Sequence, residues 1–294
     1  MNPTPHLSEP GHSPLPNAQD SQSLWRVSAF SQMGMGRTVN QDSVSFRSPD
    51  AFVVADGVGG GAWGETASEM LATGLSTLYQ PNEQAVNEAM AKLDQDIAST
   101  LSTRGDGAGA AVVAGLWRTD ALGQDCLASW VGDCQLSHWR LEKGQWEMVW
   151  QSKEQSYALC GIAPPPGVGE HSPANMVGCG MGLPVSHQRL RFTDRQRIVI
   201  SSDGCWRALS PAQLHAFMNR LSGQLPVDAA QQLCALALDA GSEDDISVLI
   251  IEKHSHPNKP FLHRLTTQLG DAVFFALVML GLAVLFWAWQ GGAT

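Results

Sequence analysis

Four aspartates in this sequence each lie where a run of apolar, strand-favouring residues begins or ends. They are Asp56 after residues 51–55, Asp133 after 127–132, Asp203 after 197–202, and Asp244 before 246–251. Runs of this length and composition are typical of buried strands, because both faces of each are apolar. Carboxylates at strand ends can converge on one rim of a sheet, and clustered carboxylates repel one another unless cations hold them together. The sequence therefore predicts a site for a hard metal ion, built by strands far apart in the chain.

Taken alone, each of these aspartates is weak support for such a site. Asp56-Gly57 opens a glycine-rich loop and Asp203-Gly204 ends a strand, as ordinary Asp-Gly turns also do. The glycine-rich loop does not match a nucleotide-binding loop, since the Walker lysine and the dinucleotide-type glycine spacing are both missing. The recurrence of four such aspartates at strand ends in one chain favours a shared site.

An arginine and an aspartate upstream, Arg37 and Asp42, are further candidates for chemistry. Arginine suits bidentate binding of a phosphoryl group, and Asp42 could hold a metal-bound water. In an extended chain, side chains five residues apart point to opposite faces, so we expect the two to serve different partners. The alternative is a surface arginine with a capping aspartate.

The composition limits the classes of protein to which the chain can belong. Its 294 residues are 44% hydrophobic and 16% charged, which allows a sizeable core and argues against general disorder. The formal net charge of -10 argues against a nucleic-acid partner, because phosphate binding needs a basic face. The six cysteines form no Cys-x-x-Cys pair, which argues against a zinc site and a disulfide framework and fits a reducing cytosol.

The order of the expected elements favours an α+β sandwich over a wound parallel sheet, because runs of strands are separated by a pair of helices. Apolar residues at helical spacing predict these two helices over 65–79 and 82–102. Ser210-Pro211 is a good helix start, with a cap residue followed by proline, and another helix is expected over 226–239. Residues 151–184 are dense in glycine and proline, which predicts a loop-rich segment.

The two ends of the chain differ from the middle. Residues 1–24 contain prolines and serines but no apolar signal-peptide core, which predicts a disordered lead-in. Residues 272–289 carry no charge and would span roughly 27 Å as a helix, which predicts a transmembrane helix after a polar linker over 254–271. The alternative is a buried core helix. Basic residues before this helix and none after it predict a single-pass C-terminal anchor in the inner (cytoplasmic) membrane, with the domain over 25–253 in the cytoplasm.

Six motifs together carry a resemblance to a known family. They are Arg-x-x-Asn-Gln-Asp (37–42), Asp-Gly-x-Gly-Gly (56–60), Gly-Glu-x-Ala-Ser (64–68), Gly-Asp (132–133), Ser-Asp-Gly (202–204) and Gly-Ser-x-Asp-Asp-Ile-Ser (241–247). In this order and at this spacing, over residues 28–252, the sequence resembles the metal-dependent protein phosphatases of the protein phosphatase 2C type, in their compact bacterial form.

The resemblance implies a four-layer α-β-β-α sandwich of two antiparallel β-sheets flanked by helices, with two Mn²⁺ or Mg²⁺ ions at one edge. Asp56 would bridge both ions, and the Gly57 carbonyl would bind the first. Asp203 and Asp244 would hold the second ion. Asp133 would belong to a third, weaker metal ion.

The implied activity is hydrolysis of phosphoserine and phosphothreonine in proteins. Two cations would lower the pKa of a bridging water and give a hydroxide that attacks phosphorus in line. Arg37 would clamp the phosphate and help to neutralise the transferring oxygens. The implied partners are phosphorylated proteins, in particular a bacterial serine/threonine kinase and its targets.

Departures from the family pattern leave an alternative open. Gln41 stands where glutamate is usual, Val58 where eukaryotic relatives often have histidine, and Cys134-Gln135 where Ser-Arg is usual. The flap segment, residues 154–182, keeps only a loose likeness. The alternative is a catalytically weak pseudophosphatase that acts as a phosphoprotein-binding or scaffold module.

Overall fold

The computed structural model describes residues 25–58, 63–102, 109–121, 123–182, 184–221 and 223–253. The expected disordered lead-in, the linker and the transmembrane helix over 272–289 lie outside these ranges. Within the described ranges, no helix is both long and apolar enough to cross a membrane.

Ten strands and six helices occur in the described residues. The strands are β1 (Trp25–Gln32), β2 (Asp42–Arg47), β3 (Ala51–Gly57), β4 (Ala111–Arg118), β5 (Asp125–Val131), β6 (Gln135–Glu142), β7 (Gln145–Gln151), β8 (Ser186–Arg191), β9 (Gln196–Ser201) and β10 (Ile246–Lys253). The helices are α1 (Gly64–Ser76), α2 (Glu83–Ser102), α3 (Tyr157–Cys160), α4 (Asp203–Trp206), α5 (Pro211–Arg220) and α6 (Ala229–Asp239).

The strands form two five-stranded sheets in which every pairing is antiparallel. One sheet has the order β1-β10-β9-β6-β7 and the other the order β2-β3-β4-β5-β8. Helices α1 and α2 cover the second sheet, and α5 and α6 cover the first. The predicted sandwich of two antiparallel sheets flanked by helices is therefore confirmed.

Three apolar cores separate the four layers, and the alternation of strand side chains builds them. In β3, Phe52 and Val54 point into the core between the sheets, whereas Val53 packs towards α1. In β10, Leu249 lies between the sheets and Val248 packs towards α6. Each such side chain contributes about 1.5–3 kcal/mol on burial. β3 and β10 are apolar on both faces because each face meets a different core.

The two strands that the sequence patterns did not predict, β7 and β8, lie at the edges of the two sheets. β8 carries the mostly polar sequence SHQRLR, as is typical of an exposed strand that pairs on one side only. β7 carries apolar residues at alternate positions, Trp146, Met148 and Trp150. The helix start at Ser210 is confirmed, with a capping box between Ser210 and Gln213.

Candidate active site

The five candidate aspartates lie on segments that end at one edge of the two facing sheets. Asp42 and Asp56 are directly opposite each other in β2 and β3. Asp133 follows β5, Asp203 opens α4 directly after β9, and Asp244 precedes β10. The other four carboxylates all act electrostatically on Asp56, so the edge gathers them into one acidic cluster.

Burial, together with repulsion between carboxylates, raises the pKa of four members of the acidic cluster. Burial, followed by repulsion from Asp42 and the other carboxylates, raises the pKa of Asp56 well above its usual value. Burial raises the pKa of Asp42 to about 7 and that of Asp133 to about 7. Burial and then the charge of Asp244 raise the pKa of Asp203. Negative charge is therefore incompletely balanced by the protein, as expected of residues that hold cations.

Asp42 is a buried member of this cluster. The Ser202 hydroxyl donates to its Oδ2 at 2.7 Å, and Ser202 Oγ in turn accepts the Ser247 backbone N–H at 2.9 Å. The Asp42 Oδ1 atom is buried and has no hydrogen-bond partner among the described residues. A buried carboxylate oxygen without a donor is costly, and a cation or its water would satisfy it.

Gly57, the expected carbonyl ligand, lies where the end of β3 meets the start of α1. A Cβ on Gly57 would lie 2.5 Å from the carbonyl oxygen of Gly64, so a larger residue cannot be accommodated. The Gly57 N–H donates to the Gln41 carbonyl at 2.9 Å. The rest of the glycine-rich loop, residues 59–62, lies outside the described ranges.

The neighbouring residues Asp244 and Asp245 have different surroundings. The Asp244 side chain is 43% exposed and lies beside the Arg37 guanidinium. The Asp245 side chain is 2% exposed, and its two oxygens accept the backbone N–H groups of Gly34 and Gln41, both at 2.8 Å. Asp245 therefore holds the loop before β2, and Asp244 is the member of the pair that a metal ion can reach.

The expectation that Arg37 and Asp42 point to opposite faces assumes an extended chain between them. In the structure, Arg37 does not lie in an extended segment. The chain turns at Met35 and Gly36 before it enters β2. The Arg37 guanidinium pairs with Asp244, and its Nη1 lies 3.6 Å from Asp245 Oδ2. The arginine is thus held at the acidic cluster, within reach of a ligand there.

A pocket of about 620 Å³ opens beside these residues. Arg37, Asp203, Asp244 and Arg207 contribute to its lining. It therefore brings two guanidinium groups and two carboxylates of the cluster to one solvent-accessible space, which suits a phosphate held between cations.

Arg207 is the residue of this site that sequence reasoning missed. Its guanidinium contacts Asp133, Asp203 and, in the flap segment, Glu154. The available signal was its position four residues after Asp203, which places the two on one face of a helix. Its contacts with Asp133 and Glu154 join segments that are distant in the chain, so local spacing does not reveal them.

The base of the flap segment is bonded to the loop that carries Asp133. The Gln155 backbone N–H donates to the Gly132 carbonyl at 2.8 Å, and the Gly132 N–H donates to Gln155 Oε1 at 3.0 Å. The Asn175 amide donates to Gln155 Oε1 at 2.9 Å. The loose sequence likeness at Gln155 and Asn175 thus corresponds to buried contacts that position the flap segment.

The donor chemistry of the cluster fits Mn²⁺ or Mg²⁺, since carboxylate and carbonyl oxygens suit hard divalent ions. Among the described side chains, no three acidic, histidine or cysteine residues already surround one point as a complete cation site. Asp244 and Asp133 are instead paired with arginines, Arg37 and Arg207. Burial raises the pKa of the nearby Cys134 thiol well above its usual value, so this cysteine stays protonated and is a poor ligand or nucleophile.

Solved structures with this architecture include bacterial serine/threonine phosphatases. The Mycobacterium tuberculosis phosphatase PstP/Ppp is 20% identical, with a TM-score of 0.64 over 79% of this chain and 99% of that chain. The chain has the phosphatase fold. The catalytic domain of PstP in complex with two manganese ions is 21% identical, with a TM-score of 0.63 over 79% of this chain and 99% of that chain.

A further structure with the same fold is PppA, a key regulatory component of T6SS in Pseudomonas aeruginosa. It is 23% identical, with a TM-score of 0.61 over 79% of this chain and 98% of that chain. No protein-family model and no curated protein matches the sequence. Similarity at these identities establishes the fold, and the activity has to be argued from the site.

Proposed function

We propose that this protein is a metal-dependent serine/threonine phosphoprotein phosphatase. The observation that carries the proposal is the meeting of Asp203 and Asp244 beside Arg37 at one pocket, with Asp56 close enough to interact electrostatically with both carboxylates. Oxygen donors of this kind favour Mn²⁺ or Mg²⁺, and the solved PstP catalytic domain holds two manganese ions.

In this proposal, Asp56 and the Gly57 carbonyl would hold a pair of ions together with Asp203 and Asp244. When bound, the ions would supply Lewis acidity at the phosphoryl oxygens and lower the pKa of water at the site. The Arg37 guanidinium would bind two phosphoryl oxygens and stabilise the charge that develops on them.

The chain's own residues would also orient the attacking water. Asp42 lies beside Asp56 and has one oxygen free to accept a hydrogen bond among the described residues. As the water oxygen bonds to phosphorus, the bond from phosphorus to the serine or threonine oxygen breaks, and that oxygen receives a proton. This direct transfer requires no phosphorylated enzyme residue.

Hydrolysis of a phosphothreonine peptide with Mn²⁺ tests the proposal. Asp56→Ala and Asp203→Ala should each lower kcat by at least about a hundredfold, because each removes a ligand of the ions that stabilise the transition state. Asp96→Ala, at an exposed position of α2, is the matched control and should retain full activity. Wild-type hydrolysis that survives thorough chelation would contradict the proposal.

Calorimetry with Mn²⁺ distinguishes the enzyme from a phosphoprotein-binding module without turnover. The enzyme should bind Mn²⁺ in a manner that requires Asp56, whereas the pseudophosphatase, suggested by Gln41 and Cys134, should bind it weakly or not at all.

We also propose that the substrates include an autophosphorylated bacterial serine/threonine kinase, and that residues 272–289 anchor the protein in the inner membrane.

A further inference from the structure

Arg207 lies where three acidic side chains from separate parts of the chain meet. Its Nη2 atom lies 3.0 Å from Asp133 Oδ2 and 3.0 Å from Glu154 Oε2. Its Nε atom lies 3.3 Å from Asp203 Oδ2, and Nη2 also donates to the His171 carbonyl at 3.0 Å. One guanidinium therefore joins the loop after β5, the start of α4 and two points of the flap segment.

The position of Arg207 does not depend on carboxylates alone. Its guanidinium stacks on the ring of Trp206, 4.6 Å from the ring centroid. The Trp206 indole N–H in turn donates to the Asp133 backbone carbonyl at 2.9 Å. The Arg207 side chain is only 30% exposed, so the charge is held against the protein by stacking as well as by ion pairs.

Asp133 is also the carboxylate that the resemblance assigns to a third, weaker metal ion. The Arg207 guanidinium already donates a hydrogen bond to Asp133 Oδ2 at 3.0 Å, and its Nε lies 3.3 Å from Asp203 Oδ2. A divalent ion bound by the same oxygens would lie within a few ångströms of the guanidinium charge and would be repelled by it. Asp133 therefore does not fit a third ion, whereas Asp203, which faces Arg207 through Oδ2, keeps its other oxygen for one of the two proposed ions.

We propose that Arg207 is a built-in cation that takes the place of a third metal ion between Asp133 and Asp203 and fastens the flap segment to the acidic cluster. The inference rests on the proposed two-metal phosphatase. Arg207 acts here as a positioning residue, because it contacts the flap segment through Glu154 and His171. Since a side-chain cation does not dissociate, the attachment of the flap segment does not depend on the free metal concentration.

Titration of the full-length protein in detergent with Mn²⁺ alone, by calorimetry, tests this inference through stoichiometry rather than activity. The wild type should bind two ions per chain even at millimolar Mn²⁺. Arg207→Gln should admit a third, weak ion, whereas Arg207→Lys, which keeps the charge, should still bind two. Arg140→Gln is the control, because Arg140 lies at the surface, 3.3 Å from Glu142, and its loss should leave two ions.

Asp133→Asn gives an independent result if Arg207→Gln does not fold. Two ions should remain, because Asp133 holds Arg207 and not a metal; loss of one ion would overturn the inference. Three ions in the wild type would overturn it while leaving the phosphatase proposal intact. A wild type that binds no Mn²⁺ would overturn both.

Hydrogen exchange measures the second half of the inference. Backbone amides of the flap segment should exchange at least roughly tenfold faster in Arg207→Gln than in the wild type, because the hydrogen bonds to Glu154 and to the His171 carbonyl are lost. Arg140→Gln should show wild-type exchange there. Unchanged exchange in Arg207→Gln would overturn the role of Arg207 in fastening the flap segment.

Discussion

At the scale of single residues, two adjacent aspartates in the candidate site perform different tasks. Asp245 is buried and accepts two backbone N–H groups from the loop before β2, whereas Asp244 is half-exposed at the pocket. Removal of a buried acceptor leaves its donors unsatisfied, and removal of an exposed partner does not. Stability and metal binding should therefore depend on different members of the pair.

Substitution of the two aspartates should separate these roles. Asp245→Ala should lower the free energy of unfolding by about 2–4 kcal/mol, because the N–H groups of Gly34 and Gln41 lose their acceptor. Asp244→Ala should change it by less than about 1 kcal/mol, since its ion pair with Arg37 is exposed. Urea unfolding of the metal-free protein measures both.

Manganese affinity should respond in the opposite way. Asp244→Ala should weaken Mn²⁺ binding at least about tenfold, as expected for the loss of a metal ligand. If Asp245→Ala weakened Mn²⁺ binding while the protein stayed folded, and Asp244→Ala did not, the assignment of the ligand would be reversed.

At the scale of elements, the site depends on how closely α4 approaches the start of β10. Gly204, the second residue of α4, lies against the Asp245 carbonyl oxygen, and a Cβ there would collide with it. The Gly204 carbonyl accepts the Ser242 hydroxyl at 2.7 Å. This contact holds Asp203 and Asp244, which lie on the two elements, at a common site.

Gly204→Ala should therefore separate the two elements. We expect a loss of about 1–3 kcal/mol in the free energy of unfolding, because backbone atoms must move to admit the methyl group. Mn²⁺ affinity should fall with it, since the spacing of Asp203 and Asp244 changes. Gly182→Ala, where a Cβ meets nothing within 4 Å, should change the stability by less than about 0.5 kcal/mol. Urea unfolding and calorimetry of both variants check this, and equal effects would contradict the role of the close approach.

The predictability of the elements followed their burial. β3, β9 and β10 are covered on both faces, so their apolar runs were evident in the sequence. β8 is an edge strand with a mostly polar sequence, which local composition does not distinguish from a loop. The register of a strand at the sheet edge is determined by its neighbour, which the local sequence does not contain.

At the scale of the whole molecule, the anchoring of the chain is a separate question from its fold. The two sheets and their flanking helices lie between residues 25 and 253, and the uncharged run 272–289 follows them in sequence. Because this run is long enough to span the hydrocarbon layer as a helix, we propose that it is a C-terminal anchor.

Cell fractionation checks the proposed anchor. The full chain should sediment with membranes and be released by detergent but not by high salt, whereas a chain ending at Lys253 should be soluble and retain Mn²⁺-dependent activity. Leu280→Arg, which places a charge in the middle of the run, should weaken membrane retention. A reporter fused after Thr294 should be periplasmic. A full chain found in the soluble fraction would contradict the proposal.

The sequence by itself determined the sandwich and the candidate residues, because buried strands and their terminal aspartates follow local composition. Asp56, Asp203 and Asp244 were identifiable in this way, since each adjoins an apolar run. Only the tertiary structure decided that Asp245 supports the loop before β2 and that Arg207 binds Asp133, Asp203 and the flap segment. Both roles depend on contacts between segments that are far apart in the chain. Which charged side chains meet at one place is therefore decided by the fold and not by the local sequence.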